Sequence, residues 1–232
     1  MKIVAILTGK SGSNLRNKNI LKINGKPCLQ YPCDAAKQVK AIDKFYSSSD
    51  DKNILKLTTK LGYEKINRPK VLSRDKTKHV DVIKHALNFI KKKEKIIPEI
   101  IIVLLANAPI IKSKWISECL SFLKKDKNIT AVVPVVEDND HHPLRAKKIK
   151  NGFLKELRSK KNISSNRQDL EKNYFLCHNF WIIRTKEIYK NNGGQPWAFM
   201  GKKVKPYLIK NSIDIHEQQD IILANYLIKN NK

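Results

Sequence analysis

The sequence contains no long hydrophobic run, and none of its apolar stretches approaches the ~20 residues that a membrane-spanning helix requires. The apolar start, Ile3 to Leu7, is too short for the core of a secretory signal peptide, and no small-residue cleavage site follows it. We therefore expect a protein of the cytoplasm that has no membrane partner.

Two common nucleotide-binding motifs are also missing. No G-x-G-x-x-G sequence of the dinucleotide-binding folds occurs. Gly9-Lys10-Ser11 looks like the end of a Walker A loop, but Val4 stands where that loop needs its first glycine. These absences argue against a Walker-type NTPase and against a Rossmann dehydrogenase.

The four cysteines lack the spacing of a metal site or a redox motif. Cys28, Cys33, Cys119 and Cys177 form no C-x-x-C pair and have no matching histidine frame. We expect four reduced thiols, with neither a zinc site nor a disulfide framework.

Charge is strongly unbalanced, with 47 Lys and Arg against 21 Asp and Glu, a formal net charge of +26. The lysines are spread along the whole chain, which is also rich in Asn and Ile. That distribution indicates a general enrichment in Lys, Asn and Ile, with the lysine side chains in solvent. It does not indicate one basic patch, so a nucleic acid partner is not expected. A positive field would still attract small polyanions such as nucleoside triphosphates.

Hydrophobic patterning predicts alternating strands and helices. Apolar runs predict strands at 3–7, 45–46, 63–66, 99–105 and 130–136, and helical spacing predicts helices at 29–40, 54–61, 80–90 and 115–123, with Thr77 as a candidate N-cap. The alternation of predicted strands and helices is lost over the polar residues 137–173. We interpret this stretch as an excursion from a single domain that spans 1–232. Order returns at 175–183, and a final helix follows. The alternation predicts an α/β, Rossmann-like and mainly parallel sheet with helices on both faces.

The first loop has the composition of a phosphate cradle. Residues 8–19 follow the first strand and combine small residues with lysines, so backbone N–H groups and cations could surround an anion. Residues 47–51 and 107–109 also follow strands. Ligands bind beyond the carboxyl ends of parallel strands, so we expect these three segments to meet at one site.

A series of short motifs runs along the chain in order. They are Gly9-Lys10-Ser11-Gly12-Ser13, Lys18-Asn19, Gly25-Lys26-Pro27, Ser49-Asp50-Asp51, Arg68-Pro69 with Leu72 and Asp75, Asp81-Val82 with His85-Ala86-Leu87, Asn166-Arg167-Gln168-Asp169-Leu170, Asn179, and Asp214-Ile215. Each motif is weak alone. Their order over essentially the whole chain resembles the CMP-sialic acid synthetases, also called acylneuraminate cytidylyltransferases.

The resemblance implies a fold and a reaction. That family has a single nucleotidyltransferase domain, GT-A-like, and forms homodimers through an excursion near the middle of the chain. Its members transfer CMP from CTP to a nonulosonic, sialic-acid-like sugar acid and release pyrophosphate with Mg²⁺. The expected product would serve the synthesis of a surface polysaccharide or lipopolysaccharide.

The resemblance also implies roles for particular residues. Lys10, Lys18 and Asp214 would be catalytic; the nucleotide would be bound by Gly9, Lys10, Ser13, Asn14, Lys18, Asn19, Arg68 and Asp75. The sugar acid would contact Asn107, Arg167, Gln168 and Asn179, in part across the dimer. An Arg such as Arg167 suits a sugar carboxylate because its fork binds a carboxylate through two hydrogen bonds. Asp214 would hold Mg²⁺.

Two departures from the family pattern leave alternatives open. Leu105 stands where the family has a Gln that touches the sugar, and His216 replaces a second Asp. Imidazole is a poor Mg²⁺ ligand, so the metal would rest on Asp214 alone or on Asp214 with Asp50. The acceptor could instead be Kdo or a sugar phosphate, and a non-catalytic nucleotide- or nucleic-acid-binding protein is the second alternative.

Overall fold

The structure, a computed structural model, describes residues 2–12, 15–158 and 163–230. Its strands are β1 (Ile3–Thr8), β2 (Lys22–Ile23), β3 (Lys26–Pro27), β4 (Lys44–Ser49), β5 (Glu64–Asn67), β6 (Ile100–Leu105), β7 (Ala131–Glu137), β8 (Lys147–Lys150), β9 (Phe153–Glu156), β10 (Tyr174–Leu176), β11 (Phe180–Arg184) and β12 (Val204–Leu208). Its helices are α1 (Gln30–Lys37), α2 (Lys52–Lys60), α3 (His79–Glu94), α4 (Ser113–Lys125), α5 (Thr185–Lys190) and α6 (Gln218–Asn230).

Eight strands form one mixed sheet. β5, β4, β1 and β6 are neighbours in that order and run parallel to one another. β11 lies between β6 and β7 and runs antiparallel to both, while β12 pairs with β7 in parallel. β10 continues the antiparallel pairing along β7. The predicted α/β fold class is confirmed. The insertion of β11 was not predicted, because an apolar run carries no information about strand direction.

Helices cover both faces of the sheet, as predicted. In β1, Ile3, Ala5 and Leu7 face the layer that contains α1, α2 and α4, whereas Val4 and Ile6 face the layer of α3 and α5. Every residue of β6 is buried, which explains its continuous run of Ile, Val and Leu. Two apolar layers therefore hold the central strands rigidly behind their carboxyl ends.

A smaller third core lies beside the sheet. Ile23 and Cys28 of the β2–β3 hairpin pack with Ile213, Ile215 and Ile221. This cluster holds the segment before α6 next to the end of the first loop, although the two regions are about 200 residues apart in sequence. It thereby contributes to the position of the residues described below.

Two local expectations were wrong in detail. The helix predicted over 29–40 is shorter, Gln30–Lys37. Thr77 does not cap the next helix: α3 begins at His79 after Lys78, and the Thr77 hydroxyl donates to the Val71 carbonyl oxygen at 3.1 Å. Lys78 occupies the N-cap position, so Thr77 lies one residue too early to accept hydrogen bonds from the first turn of α3.

The region predicted as an excursion contains the hairpin β8–β9 between β7 and β10. All residues of both its strands are exposed. Among the residues that the structure describes, no helix is long and apolar enough to cross a membrane.

Candidate active site

A cavity of about 220 Å³ lies beyond the carboxyl ends of β1 and β6. It brings together seven residues predicted from the sequence for the nucleotide or the sugar, which are Gly9, Lys10, Lys18, Asn19, Arg68, Asp75 and Asn107. Ser13 and Asn14, also predicted, lie outside the described residues. The first loop and the segment after β6 thus meet at one edge as expected, and residues 47–51 also contact the first loop, through Ser48 with Gly9 and Asp50 with Ser11.

The base of the first loop is tightly packed. Asn19 is buried, and its side-chain Nδ2 donates to the Lys10 carbonyl oxygen at 3.1 Å. A Cβ atom at Gly9 would lie 3.0 Å from the Ala106 Cβ and 3.3 Å from the Ile54 Cδ1. A glycine therefore suits this position because the loop passes so close to the segment after β6.

Arg68 and Asp50 hold the first loop through hydrogen bonds to Gly9 and Ser11. The buried Arg68 guanidinium donates to the Gly9 carbonyl oxygen and, through Nε, to Ser73 Oγ at 3.0 Å. One guanidinium nitrogen lies 3.5 Å from Asp50 Oδ1. Asp50 also accepts hydrogen bonds from the Ser11 backbone N–H, at 3.0 Å, and from the Ser11 hydroxyl.

These contacts argue against Asp50 as a metal ligand. Burial acts to raise the pKa of Asp50, but hydrogen bonds, chiefly from Ser11, outweigh it and hold the pKa below its usual value. The carboxylate accepts hydrogen bonds from the Ser11 N–H and hydroxyl and faces the Arg68 guanidinium, so Asp50 holds the loop in place, and its assignment as a metal ligand stays a prediction. The sequence could not distinguish this role from metal binding, because the Ser11 and Arg68 contacts are long-range.

Two lysines bring positive charge to the cavity. Lys10 Nζ lies 2.6 Å from a carboxylate oxygen of Asp75, whose side chain is 94% exposed. Lys18 Nζ lies 3.5 Å from His216 Nδ1. Burial lowers the pKa of Lys18, and Lys10 adds to this effect, while the nearby Asp214 carboxylate opposes it. An anion entering the cavity would relieve the repulsion between the two ammonium groups.

Asp214 lies in a segment tied to the end of β6. The Ile215 N–H donates to the Asn107 carbonyl oxygen at 2.9 Å, and the Asn107 side-chain amide donates to the Ile215 carbonyl oxygen at 3.4 Å. Burial raises the pKa of Asp214, whereas His178, His216 and Lys18 act to lower it. Asp214 Oδ1 is buried and has no hydrogen-bond partner among the described residues.

The unpartnered Oδ1 atom makes Asp214 a suitable ligand for a hard divalent cation. Mg²⁺ in nucleotide sites is commonly held by one or two carboxylates, with waters and phosphate oxygens completing its shell. One protein carboxylate therefore fits that pattern. Residues 2–12, 15–158 and 163–230 contain no group of three or more His, Cys, Asp or Glu side chains that could hold a metal without such help.

Three residues predicted for the sugar do not line this cavity. Asn179 is fully buried; its amide donates to the Ile110 carbonyl oxygen at 2.6 Å and accepts from Ser212 Oγ at 2.8 Å. The structure thus makes Asn179 a link between two segments. Arg167 and Gln168 are exposed on the excursion, where Arg167 pairs with Asp140 at 2.5 Å.

The cavity contains further residues that sequence reasoning missed, among them Thr8, Arg74 and His79. His79 Nε2 lies 3.1 Å from Thr8 Oγ1, and its ring packs edge-on against Trp181 with centroids 4.9 Å apart. The sequence offered one indication of this role, because His79 follows the Arg68-Pro69 motif and begins α3. Its approach to β1 could be seen only once α3 was placed on the sheet.

The family model for a cytidylyltransferase matches residues 4–224. The chain belongs to the cytidylyltransferase family. That assignment, together with the relatives below, confirms the resemblance seen in the motifs.

Curated relatives carry related names. The chain is 26% identical over 227 residues to the Helicobacter pylori "Pseudaminic acid cytidylyltransferase and UDP-2,4-diacetamido-2,4,6-trideoxy-beta-L-altropyranose hydrolase", covering 95% of this chain and 40% of that one. It is 31% identical over 139 residues to the Escherichia coli N-acylneuraminate cytidylyltransferase, covering 60% and 32%. It thus spans less than half the length of these two relatives. A Campylobacter jejuni pseudaminic acid cytidylyltransferase is 24% identical over 234 residues, covering 100% and 98%.

Solved structures share the fold of the family. A CMP:2-keto-3-deoxy-manno-octonic acid synthetase solved with CTP has a TM-score of 0.69 at 15% identity, covering all of both chains. A 4-diphosphocytidyl-2C-methyl-D-erythritol synthase from Anaerococcus prevotii has a TM-score of 0.67 at 18% identity, covering 98% and 96%. At these identities the likeness extends to the fold alone.

Proposed function

We propose that the chain transfers CMP from CTP to a nonulosonic acid and releases pyrophosphate. The observation that carries this proposal is a cavity that combines Lys10, Lys18 and the clamped Arg68 with the neighbouring unpartnered carboxylate of Asp214. Pseudaminic acid is the first acceptor to test, because relatives matched over nearly their whole length carry that name.

The residues of the cavity suit this chemistry. A hydroxyl of the sugar acid attacks the α-phosphorus of CTP, and pyrophosphate leaves in line. Such a reaction needs positioning and charge neutralisation more than covalent help from the protein. Lys10 can exchange its exposed partner Asp75 for phosphate oxygens, and Lys18 offers a cation already partly withdrawn from water. Both would stabilise the charge that develops on the leaving group.

We also propose Mg²⁺ as the cofactor, with Asp214 as its protein ligand. The bound ion would neutralise phosphate charge and lower the pKa of the attacking hydroxyl. Asp214 fits because its Oδ1 atom is buried without a partner, and ionisation there is costly until a cation arrives. The nearby His216, whose Nε2 lies 4.0 Å from Asp214 Oδ2, offers only an imidazole. Asp50 already accepts hydrogen bonds from Ser11, so Asp214 is the single carboxylate proposed.

The sugar site is proposed to be shared between two copies of the chain. Asn107 lines the cavity, whereas Arg167 and Gln168 lie on the excursion and do not reach it within one copy. The hairpin of the excursion exposes apolar side chains, with Ile149 77% and Leu154 72% exposed. A homodimer formed through this hairpin would bury them and could bring Arg167 to the partner's cavity.

Pyrophosphate release tests the reaction directly. The purified protein would be incubated with CTP and Mg²⁺, with and without pseudaminic, legionaminic or N-acetylneuraminic acid, and with the other three triphosphates in separate arms. We expect release that requires CTP and one of the acids. Lys18→Met should remove most of it, while Lys124→Met, at an exposed helix end, serves as the matched control.

Other outcomes would redirect the assignment. Release with Kdo or a sugar phosphate, but with none of the nonulosonic acids, would contradict the acceptor class. Binding of oligonucleotides with a steep salt dependence and no release under any condition would contradict an enzyme altogether. If release is seen, we propose that the CMP-sugar is made in the cytoplasm for a surface polysaccharide or lipopolysaccharide.

A further inference from the structure

His79 occupies an unusual place in the nucleotide cavity. It opens α3, and its Nε2 atom lies 3.1 Å from Thr8 Oγ1 at the end of β1. Thr8 in turn pairs with Leu105 across the sheet, and all three residues line the cavity. The imidazole therefore contacts the central sheet through Thr8 while it also lines the cavity.

The neighbours of Thr8 define which nitrogen of His79 carries the proton. The Thr8 hydroxyl donates to the Leu104 carbonyl oxygen at 3.4 Å, and a hydroxyl has one proton to give. With that proton directed to Leu104, the Thr8 oxygen accepts from His79, and we assign the ring proton to Nε2 on this basis, which leaves the Nδ1 lone pair free. Burial lowers the pKa of His79 to about 4, with His178 and Arg68 adding to the effect, which keeps the ring neutral near pH 7.

Nδ1 remains available for a ligand. It has no hydrogen-bond partner among the described residues, and it is not among the buried atoms left without one. A neutral ring with an accessible acceptor nitrogen can receive a hydrogen bond from a donor in the cavity but cannot give one. Among the groups of a pyrimidine nucleotide, the 4-amino group of cytosine is such a donor, whereas uracil presents the acceptor O4 at the same place.

We infer that His79 reads the base: its Nδ1 accepts a hydrogen bond from the cytosine 4-amino group, and Thr8 fixes the tautomer that makes this possible. The inference rests on the proposed use of CTP and assigns the preference for CTP over UTP to one side chain. UTP would place two acceptors face to face and leave both unsatisfied, which weakens binding.

The first experiment observes the tautomer. Long-range ¹H–¹⁵N correlation spectra of the ¹⁵N-histidine-labelled protein distinguish Nε2–H from Nδ1–H rings. We expect His79 as the Nε2–H form, assigned by its loss in His79→Gln. A dominant Nδ1–H form, or a charged ring at pH 7, would overturn the inference.

The second experiment measures the affinities for CTP and UTP by calorimetry, without acceptor so that no turnover occurs. His79→Gln keeps a polar group near Nε2 but has none at Nδ1, whereas His79→Asn keeps an acceptor near Nδ1 and loses the Thr8 contact. We expect His79→Gln to lower CTP affinity about tenfold with UTP affinity changed less than about twofold, and His79→Asn to keep most of the preference. Thr8→Val should reduce the preference by letting both tautomers form.

The outcomes separate this inference from the proposed reaction. An unchanged CTP-to-UTP ratio in a folded His79→Gln variant overturns the role of His79, and so does equal binding of CTP and UTP by the wild type. Acceptor-dependent pyrophosphate release by the wild type would leave the proposed reaction standing in either case. If His79→Gln fails to fold, the ratio in Thr8→Val decides: an unchanged ratio there contradicts the inference.

Discussion

Asp214 shows a conflict between stability and function at a single residue. Its carboxylate is largely removed from water, and one oxygen lacks a partner among the described residues. Burial therefore raises the pKa of Asp214, although His178, His216 and Lys18 oppose that effect. A group whose pKa is raised in the folded state is destabilising once it ionises, so the fold tolerates Asp214 at a cost that a bound cation would offset.

Replacing Asp214 by Asn should stabilise the fold and abolish pyrophosphate release. Below the unfolded-state pKa of Asp, residue 214 is neutral in the folded and the unfolded wild type, so the wild type and Asp214→Asn should melt alike. As pH rises through the folded-state pKa, only the wild type acquires the buried charge, so the variant should melt higher by roughly 2 °C or more at pH 7. Thermal unfolding at pH 3 and pH 7 without metal checks this.

The stability difference should disappear when a divalent cation is bound. Mg²⁺ and CTP together should raise the melting temperature of the wild type more than that of Asp214→Asn. An equal rise in both proteins would contradict the assignment of Asp214 as the metal ligand. Full activity of Asp214→Asn would contradict it as well.

At the level of elements, the site depends on a link between the segments after β6 and before α6. Asn179, directly before β11, donates to the Ile110 carbonyl oxygen and accepts from Ser212 Oγ. The first segment carries Asn107 and the second carries Asp214. One buried amide therefore helps hold the proposed sugar and metal residues together without touching the cavity.

Replacing Asn179 by Ala should destabilise the fold, because the buried Ile110 carbonyl and the half-buried Ser212 hydroxyl lose their partner. We expect a loss of about 2 kcal/mol and a melting temperature lower by about 4–8 °C. Ser212→Ala, which removes only one of the hydrogen bonds, is the matched control and should have a smaller effect. An unchanged melting temperature with a raised KM for the acceptor would instead favour the direct sugar contact predicted from the sequence.

At the scale of the whole molecule, the excursion leaves several large apolar side chains exposed to water. In the β8–β9 hairpin, Ile149 and Leu154 are directly paired across the strands and share one face. Both are largely exposed, although side chains of this kind gain about 1.5–3 kcal/mol each on full burial. This face is the proposed dimer contact.

Leu154→Asp should convert the dimer to a monomer, because a carboxylate cannot be buried there without a partner. The mass in solution, measured by light scattering, checks the change. Ile222→Asp is the matched control, since Ile222 on α6 is 67% exposed and lies outside the hairpin. A monomeric wild type, or a dimer that survives Leu154→Asp, would contradict this contact and with it the shared sugar site.

Local pattern was enough to predict much of the molecule. The apolar runs of β1 and β6 predicted buried strands, because strands covered on both faces carry short, continuous apolar runs. Since parallel strands share an edge, the loops after them could be assigned to one site, and Gly9, Lys10, Lys18, Arg68 and Asn107 line its cavity. Motif order then predicted the family, which the family model confirms.

Tertiary structure decided what depends on contacts between distant parts of the chain. It placed β11 antiparallel between β6 and β7. It also brought Ser11 and Arg68 into contact with the Asp50 carboxylate, whereas Asp214 Oδ1 has no partner among the described residues. It also buried Asn179 and brought His79 to Thr8, 71 positions away. Residue type and spacing determine which elements form, but the partners of a polar side chain depend on how those elements pack, and partners decide whether a carboxylate or imidazole serves structure or chemistry.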